Sequence, residues 1–495
     1  ICDGSWRDQL IGENGVLEKA VADYREELEM LQKEFSRAER EKNHDEASRL
    51  GREINRFRAA PDDKVQKKSL IEFLTRSNVL PKYGFPVDTV ELMIGTSASN
   101  QDDGLQLSRD LQMAIAEYAP GSEVIADGKM YTSRYVRKAG SKGKNDPGFE
   151  YGYYAQCPNC RENNFTDNPL ARRVGLNCIS CEKKIPKNRW NRTIEPRLGF
   201  IAEDPNGKPV PMHKPERDYK TEDYYVGDGR RTILKTQEFN LGDEVLRLQS
   251  TKNDSLAVVG LGEHIVCPLC GYATDKGETV LVEKHKNARG YECGYRSNGL
   301  PQIPVRLSHV FKTDVASISF LTADAADDET MISVMYAILE GLSKELDIER
   351  TDIKGCLHRI KWEGSGQPIH SIILYDAVAG GAGHVRRIVT EDGHVFERVL
   401  RRAYEIVREC KCAPSCYSCI RNYYNQKIHD KLDRKKAAAF LRRRLVPCVP
   451  IQEQDSQQSI EVSGGEPATQ YPTWEELYSV SCFEQDGAAL DSRNI

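Results

Sequence analysis

The chain has 495 residues, 39% apolar and 29% charged, with a formal net charge of −5, enough to bury several cores in two to four compact units. No run of roughly 18 apolar residues reads as a membrane helix and no charged-then-apolar leader reads as a signal peptide. The composition therefore excludes a helical membrane protein and makes a soluble cytoplasmic chain the expectation. The sequence opens on Ile1 rather than Met, and Ile1–Arg7 reads like the middle of a polypeptide, so an upstream part is expected.

In residues 1–60, Leu17, Val21, Tyr24, Leu28, Leu31, Phe35 and Ala38 alternate steps of four and three, as a coiled-coil seam requires. The phase breaks across Lys42–Glu46 and resumes at Ala47, Leu50, Ile54 and Phe57, which predicts a helical hairpin, an arm for packing on a neighbour. Residues 61–150 read as a mixed α/β connector. It holds a helix through Leu70, Phe73 and Leu74, a turn forced by the prolines and glycine of Leu80–Pro86, and a short amphipathic helix over Leu111–Ala119. Strands Ser122–Asp127 and Lys129–Val136 meet at Asp127-Gly128, a hairpin dipeptide.

Residues 151–311 are strand- and turn-rich. Beyond them the pattern gives a strand at Ala316–Leu321, a helix at Glu329–Leu346, strands at Ile353–Ile360 and Ser371–Tyr375, and helices at Val395–Glu409 and Asp433–Leu445. Residues 446–495 are rich in Gln, Ser and acid and are expected to be poorly ordered. Phe396–Leu445 carries fourteen Lys/Arg against five Asp/Glu, whereas Val446–Ile495 carries one against nine. A basic module before an acidic tail suggests a polyanion partner, although a solvated helix face has the same composition.

Of fifteen cysteines only Cys2, Cys356, Cys448 and Cys482 stand apart from three tight clusters. Disulfide frameworks belong mostly to small secreted domains, so metal binding is the better explanation. Cys157-x2-Cys160 and Cys178-x2-Cys181, seventeen residues apart, have zinc-ribbon spacing. The basic stretch after them, from Lys183 to Arg192 with Trp190, either touches phosphates or is simply solvated. Cys267 and Cys270 with His285 and Cys293 supply a Cys3His set, in which His264 competes with His285 for the histidine place. Cys410, Cys412, Cys416 and Cys419 fall within ten residues and offer four thiolates, a closed set unsuited to hydrolytic zinc. An iron–sulfur cluster is the rival there, but the spacing departs from ferredoxin runs. Zn2+ at three sites is the expectation, and the fold class is a multidomain α+β protein: helical hairpin, β-rich middle with a zinc ribbon, C-terminal α/β zinc-binding domain.

Around the third cluster lie Arg401, Arg402, Lys411, Arg421, Lys427 and Arg434, interleaved with Tyr423 and Tyr424. Cations neutralise phosphates and exposed aromatics stack on unpaired bases, which suits single-stranded nucleic acid; tyrosines that merely pack the knuckle would look the same. The turn Gly380-Gly381-Ala382-Gly383 after Asp376 allows close backbone approach, yet no G-x-x-x-x-G-K-[ST] occurs anywhere in the chain. Its expected job is to let a following helix pack on the strand, with Asp376 as a turn cap. No catalytic constellation is visible.

Ile372–Asp376, the glycine turn, the Cys410-x-Cys412-x3-Cys416-x2-Cys419 knuckle and Leu432-Asp433-Arg434 together resemble the MrfA-type zinc-binding domain found at the C-terminus of many DEAD/DEAH-box helicases, over about Val315–Leu445. Leu80–Pro86 and Glu117–Gly121 are similar to regions that follow the motor in large bacterial helicases of this kind, including ones linked to DNA repair and phage defence. The resemblance implies an accessory platform that helps a superfamily 2 translocase engage DNA, with the four knuckle cysteines as zinc ligands and residues 312–445 as the domain. The chain has no Asp-Glu-x-His box, so ATP enters only through a motor outside it, in cis or in trans. A protein-interaction scaffold with purely structural zinc is the alternative; a metal-dependent hydrolase ranks below both because the sites look closed.

Overall fold

The computed structural model describes residues 15–40, 88–94, 107–138, 149, 151–212, 221–227, 233–275, 285–293, 304–362, 368–378 and 380–450. The chain divides into two compact units, Ile1–Leu80 with Gln452–Ile495, and Pro81–Ile451. The first contains α1 (Val16–Arg40) along the expected seam. The second arm of the hairpin, the helix at Leu70–Leu74, the turn Leu80–Pro86 and the chain beyond 450 lie outside the described residues.

In the second unit a small sheet joins Lys129–Val136 to Phe200–Ala202, which runs parallel to Thr89–Met93, itself paired with Leu107–Asp110. Helix α2 (Leu111–Glu117) begins where the Asp110 carboxylate accepts the Gln112 amide at 2.8 Å, and it buries Leu111, Ala114 and Ile115 against this sheet. The hairpin of Glu123–Ala126 and Lys129–Val136 turns at Asp127 and Gly128, both left-handed at φ 46° and 68°, as a two-residue type I′ turn demands.

The larger sheet is built on β1 (Ile233–Leu241), β2 (Glu244–Gly260), β3 (Val305–Leu321), β4 (Ile353–Ile360) and β5 (Ile369–Asp376). The 17-residue β2 and β3 pair antiparallel from Val245 opposite Leu321 to Val259 opposite Ser308, with an irregularity between Thr251 and Asp254. At its start β3 also runs parallel to Asn191–Ile194, and at Val315–Ser319 it pairs with β5, whose other edge carries β4. The expected break between 311 and 312 is therefore not a break. Exposed Lys312 and buried Asp314 interrupt the apolar pattern of one continuous strand, because Asp314 faces the Arg386 guanidinium at 3.1 Å.

Helices α3 (Asp328–Glu345), α4 (His394–Glu409) and α5 (Arg434–Arg442) cover this sheet around Met331, Val334, Ile338, Leu342, Phe396, Leu400 and Phe440. At Gly341 α3 and α4 approach closely: a Cβ there would lie 2.7 Å from the Val399 carbonyl oxygen. Buried Arg444 joins Glu244 (2.7 Å) and Asp324 (2.8 Å) while its guanidinium lies 3.5 Å from the Phe440 ring centre. Val449–Pro450 adds an edge to β1 and Cys448 is buried, so the first residues of the expected tail belong to the fold.

Candidate metal centres and nucleic-acid interface

Three sets of four ligand atoms converge, each within 4.8 Å: Cys157, Cys160, Cys178, Cys181; Cys267, Cys270, His285, Cys293; and Cys410, Cys412, Cys416, Cys419. A tetrahedron of Zn–S bonds of about 2.3 Å has edges of about 3.8 Å, whereas a disulfide closes to about 2.05 Å. In the first set Cys157 and Cys181 are 3.7 Å apart and Cys160 and Cys178 3.5 Å, fitting the metal geometry.

Both ribbon knuckles use the same local turn. The Arg161 amide donates to the Cys157 carbonyl and the Glu182 amide to the Cys178 carbonyl, with Arg161 and Glu182 left-handed at φ 61° and 60°. Asn164 supports the centre from behind: its side-chain amide reaches Cys178 Sγ at 3.5 Å and its oxygen accepts the Ile179 amide at 2.8 Å. Burial works against ionisation of the Cys181 thiol, but the Lys183 amide and neighbouring thiols outweigh it and bring it down to about 7.

The second set uses that turn once more at Cys267, with the third residue of the kind, Gly271, at φ 78°. Here only glycine fits, since a Cβ would lie 2.0 Å from the Val136 carbonyl oxygen. His285 Nε2 lies 3.1 Å from Cys270 Sγ, and Cys293 lies 3.8 Å from Cys267. His264 is buried apart from this set, so the geometry brings in His285. Tyr272 stacks on the His285 ring at 4.7 Å and fixes its plane. The Cys270 thiol and nearby amides hold the Cys267 thiol down at about 5 despite burial. Tyr135 hydroxyl to the Lys286 carbonyl (3.1 Å) and Lys138 to the Pro268 carbonyl (2.9 Å) dock the knuckle on the small sheet.

The third set is compact, with Cys410 3.3 Å from Cys412 and 3.5 Å from Cys416, and Cys419 3.6 Å from Cys412. The Ser418 amide lowers the Cys416 thiol to about 7. All three donor sets are filled by four protein ligands, the arrangement of structural zinc with no open position for a reacting water. The chain carries three zinc sites.

The cations expected beside the third set divide. Arg434 donates to the carbonyls of Cys412 (2.6 Å) and Val407 (3.1 Å), and Arg421 to the Ser415 hydroxyl (2.8 Å) and the His429 carbonyl (3.2 Å). Both clamp the knuckle and face inward, because the loop's carbonyls have no helix or sheet partner and need donors. Arg402 pairs with Glu405 at 3.1 Å on the surface. Arg401, Lys411 and Lys427 are exposed, and so are Tyr417, Tyr423 and Tyr424, 63%, 49% and 65% accessible. The tyrosines stand on a rigid base: Asn422 and Asn425 form a capping box, and the Asn425 side chain donates to the Ile420 carbonyl at 2.9 Å.

In the glycine turn, buried Asp376 accepts the amides of Ala382 (2.6 Å), His384 (3.1 Å) and Val385 (3.0 Å). The anion that such a turn attracts is supplied by the chain itself, and a 3₁₀ turn at Val385–Ile388 follows instead of the expected helix. Sequence reasoning missed Glu162, two residues past Cys160. Its carboxylate accepts the Arg359 amide at 2.6 Å and lies 3.0 Å from His358 Nδ1, bolting the ribbon to β4. No local pattern marks a pair 196 positions apart.

Residues 334–420 match the family model of the MZB, the MrfA Zn-binding domain. The matched stretch runs from within α3 to just past Cys419. Druantia protein DruE of Escherichia coli (strain UMEA 4076-1) is 22% identical in an alignment 436 residues long that covers 78% of this chain and 22% of that protein. Two crystal structures of the DUF1998 helicase MrfA, one bound to DNA and one to DNA and AMPPNP, are similar at 11% identity, with TM-scores of 0.32 and 0.25. Each aligns with 72% of this chain, over 33% and 31% of its own length. The chain thus spans about a fifth of the curated relative and a third of the solved ones.

Proposed function

We propose, taking the MrfA Zn-binding domain as premise, that this chain is the non-motor part of a DNA helicase or translocase and serves as its zinc-stabilised nucleic-acid platform. The observation that carries this is the exposed trio Tyr417, Tyr423 and Tyr424 with exposed Lys411 and Lys427, all on one metal-braced, capped segment that follows α4. Aromatic faces stack on unpaired bases of any sequence and the cations answer the phosphates. ATP hydrolysis belongs to a motor in cis or in trans, in the cytoplasm, and DNA repair or phage defence is the setting. The likeness to DruE supports this reading.

The test is equilibrium binding of labelled single-stranded and duplex DNA across a salt series. Affinity should fall with salt along a negative log–log slope. Tyr423→Ala with Tyr424→Ala should weaken single-strand binding by about tenfold or more. A flat salt response, or no binding, overturns the reading in favour of a scaffold with structural zinc.

A further inference from the structure

A second aromatic and basic feature lies beside the first zinc ribbon. A groove of about 680 Å³ runs between the Cys157 knuckle, the strand Asn191–Ile194 and the strand Thr221–Tyr225. In it Tyr154 and Tyr224 stack, ring centres 5.3 Å apart and planes 27° from parallel. The Arg306 guanidinium lies 5.8 Å from the Tyr154 ring centre and 3.5 Å from the Glu263 carboxylate, while Glu222, the carboxylate among the groove's lining residues, is engaged by the Tyr224 hydroxyl. Arg161 and Arg189 line the same groove and are exposed.

These parts are held in place before any ligand arrives. Arg161 is fixed by the left-handed turn that follows Cys160, and Tyr154 by its hydroxyl bond to Asn163 at 2.8 Å. Arg306 is accounted for by Glu263, but a purely structural tyrosine pair has no need of the two exposed arginines, Arg161 and Arg189, beside it. The partly exposed Tyr224 ring, backed by buried Tyr154, together with guanidinium groups and exposed side-chain amides at Asn188 and Asn191, matches a flat heteroaromatic base with a phosphate attached.

We propose that this groove binds an unpaired nucleotide of a nucleic-acid strand, the base at the Tyr154–Tyr224 pair and the flanking phosphates at Arg161 and Arg189. It is a second contact, separate from the third zinc knuckle, and it rests on the reading that the chain binds nucleic acid. The ribbon is then part of the binding surface as well as a staple.

The experiment uses the full chain and a thymidine 20-mer containing 5-iodouracil. Photocrosslinked peptides are mapped by mass spectrometry, and affinity is measured for Arg189→Glu, Tyr224→Leu and Tyr224→Phe, with zinc content as the check on folding. Crosslinks should fall within Tyr151–Arg161 or Thr221–Tyr225. Arg189→Glu and Tyr224→Leu should each weaken strand binding about tenfold, while Tyr224→Phe, which keeps the ring, stays within about twofold. Crosslinks confined to Tyr417–Lys427, with Arg189→Glu at wild-type affinity, overturn the groove and leave the DNA-platform reading standing. Absence of any strand binding overturns both. Displacement of the 20-mer by thymidine monophosphate at equal nucleotide concentration makes the ligand a free nucleotide and overturns the strand assignment.

Discussion

At the scale of single residues, His285 and His264 offer the sharpest contrast. Both are buried and both flank the Cys267 knuckle in sequence, yet only His285 places a ring nitrogen among the thiols. His285→Ala should lower the zinc content by one ion per chain in atomic-emission measurements, while His264→Ala leaves it unchanged. The cysteine ligands were legible in the sequence because knuckle spacing is local and each pair is brought together by one tight turn. The direction in which an arginine points is set by what surrounds it. Arg421 and Arg434 therefore read like their exposed neighbours Arg401 and Lys411, although the knuckle's own carbonyls claim them. Glu162 shows the same limit from the other side. Glu162→Ala leaves the Arg359 amide and the His358 ring unanswered in a buried place, and chemical denaturation should register a loss of about 1–3 kcal/mol, with zinc content unchanged.

At the scale of elements, periodicity located α3, α4 and β4 to within about two residues because each has one face against a common core, and β5 was found as a short apolar run because it is buried on both faces. It failed at β3, where Lys312 and Asp314 break the apolar run in mid-strand. It could not show how closely helices approach either. Gly341 leaves no room for a side chain between α3 and α4. Gly341→Val should therefore cost stability by about 1–3 kcal/mol through overpacking, even though valine suits a helix interior better than glycine does. The shift in thermal midpoint measures it, and a neutral or positive shift would refute the close approach.

At the scale of the whole second unit, acid acts on more than the metal ligands. Glu195 follows the strand that joins the ribbon to β3, with His309 Nδ1 at 2.6 Å and Arg197 Nε at 2.5 Å. Burial pushes its carboxyl up, but the His309 bond and the Arg197 charge outweigh this and hold it at about 2. The folded value is below the unfolded one of about 4.3. The stabilisation is thus present above that pH and is lost as pH falls from about 4 towards 2. Glu195→Gln should lower stability at neutral pH and shrink its gap to the wild type across that acid window. Taking the difference between the two proteins cancels the metal release that protonated thiols cause in both.

The long pairing of β2 with β3, two runs that meet at the irregularity between Thr251 and Asp254, has a mechanical consequence. Its hydrogen bonds lie perpendicular to the strands, so tension applied along their length loads the whole ladder at once in shear, where tension at one end and across it would unzip the bonds singly. The ribbon beside the start of β3 and the knuckle domain paired near its end are thereby joined by the stiffest direction a sheet possesses. A pull on either one is passed along the strands to the other rather than taken up at a hinge.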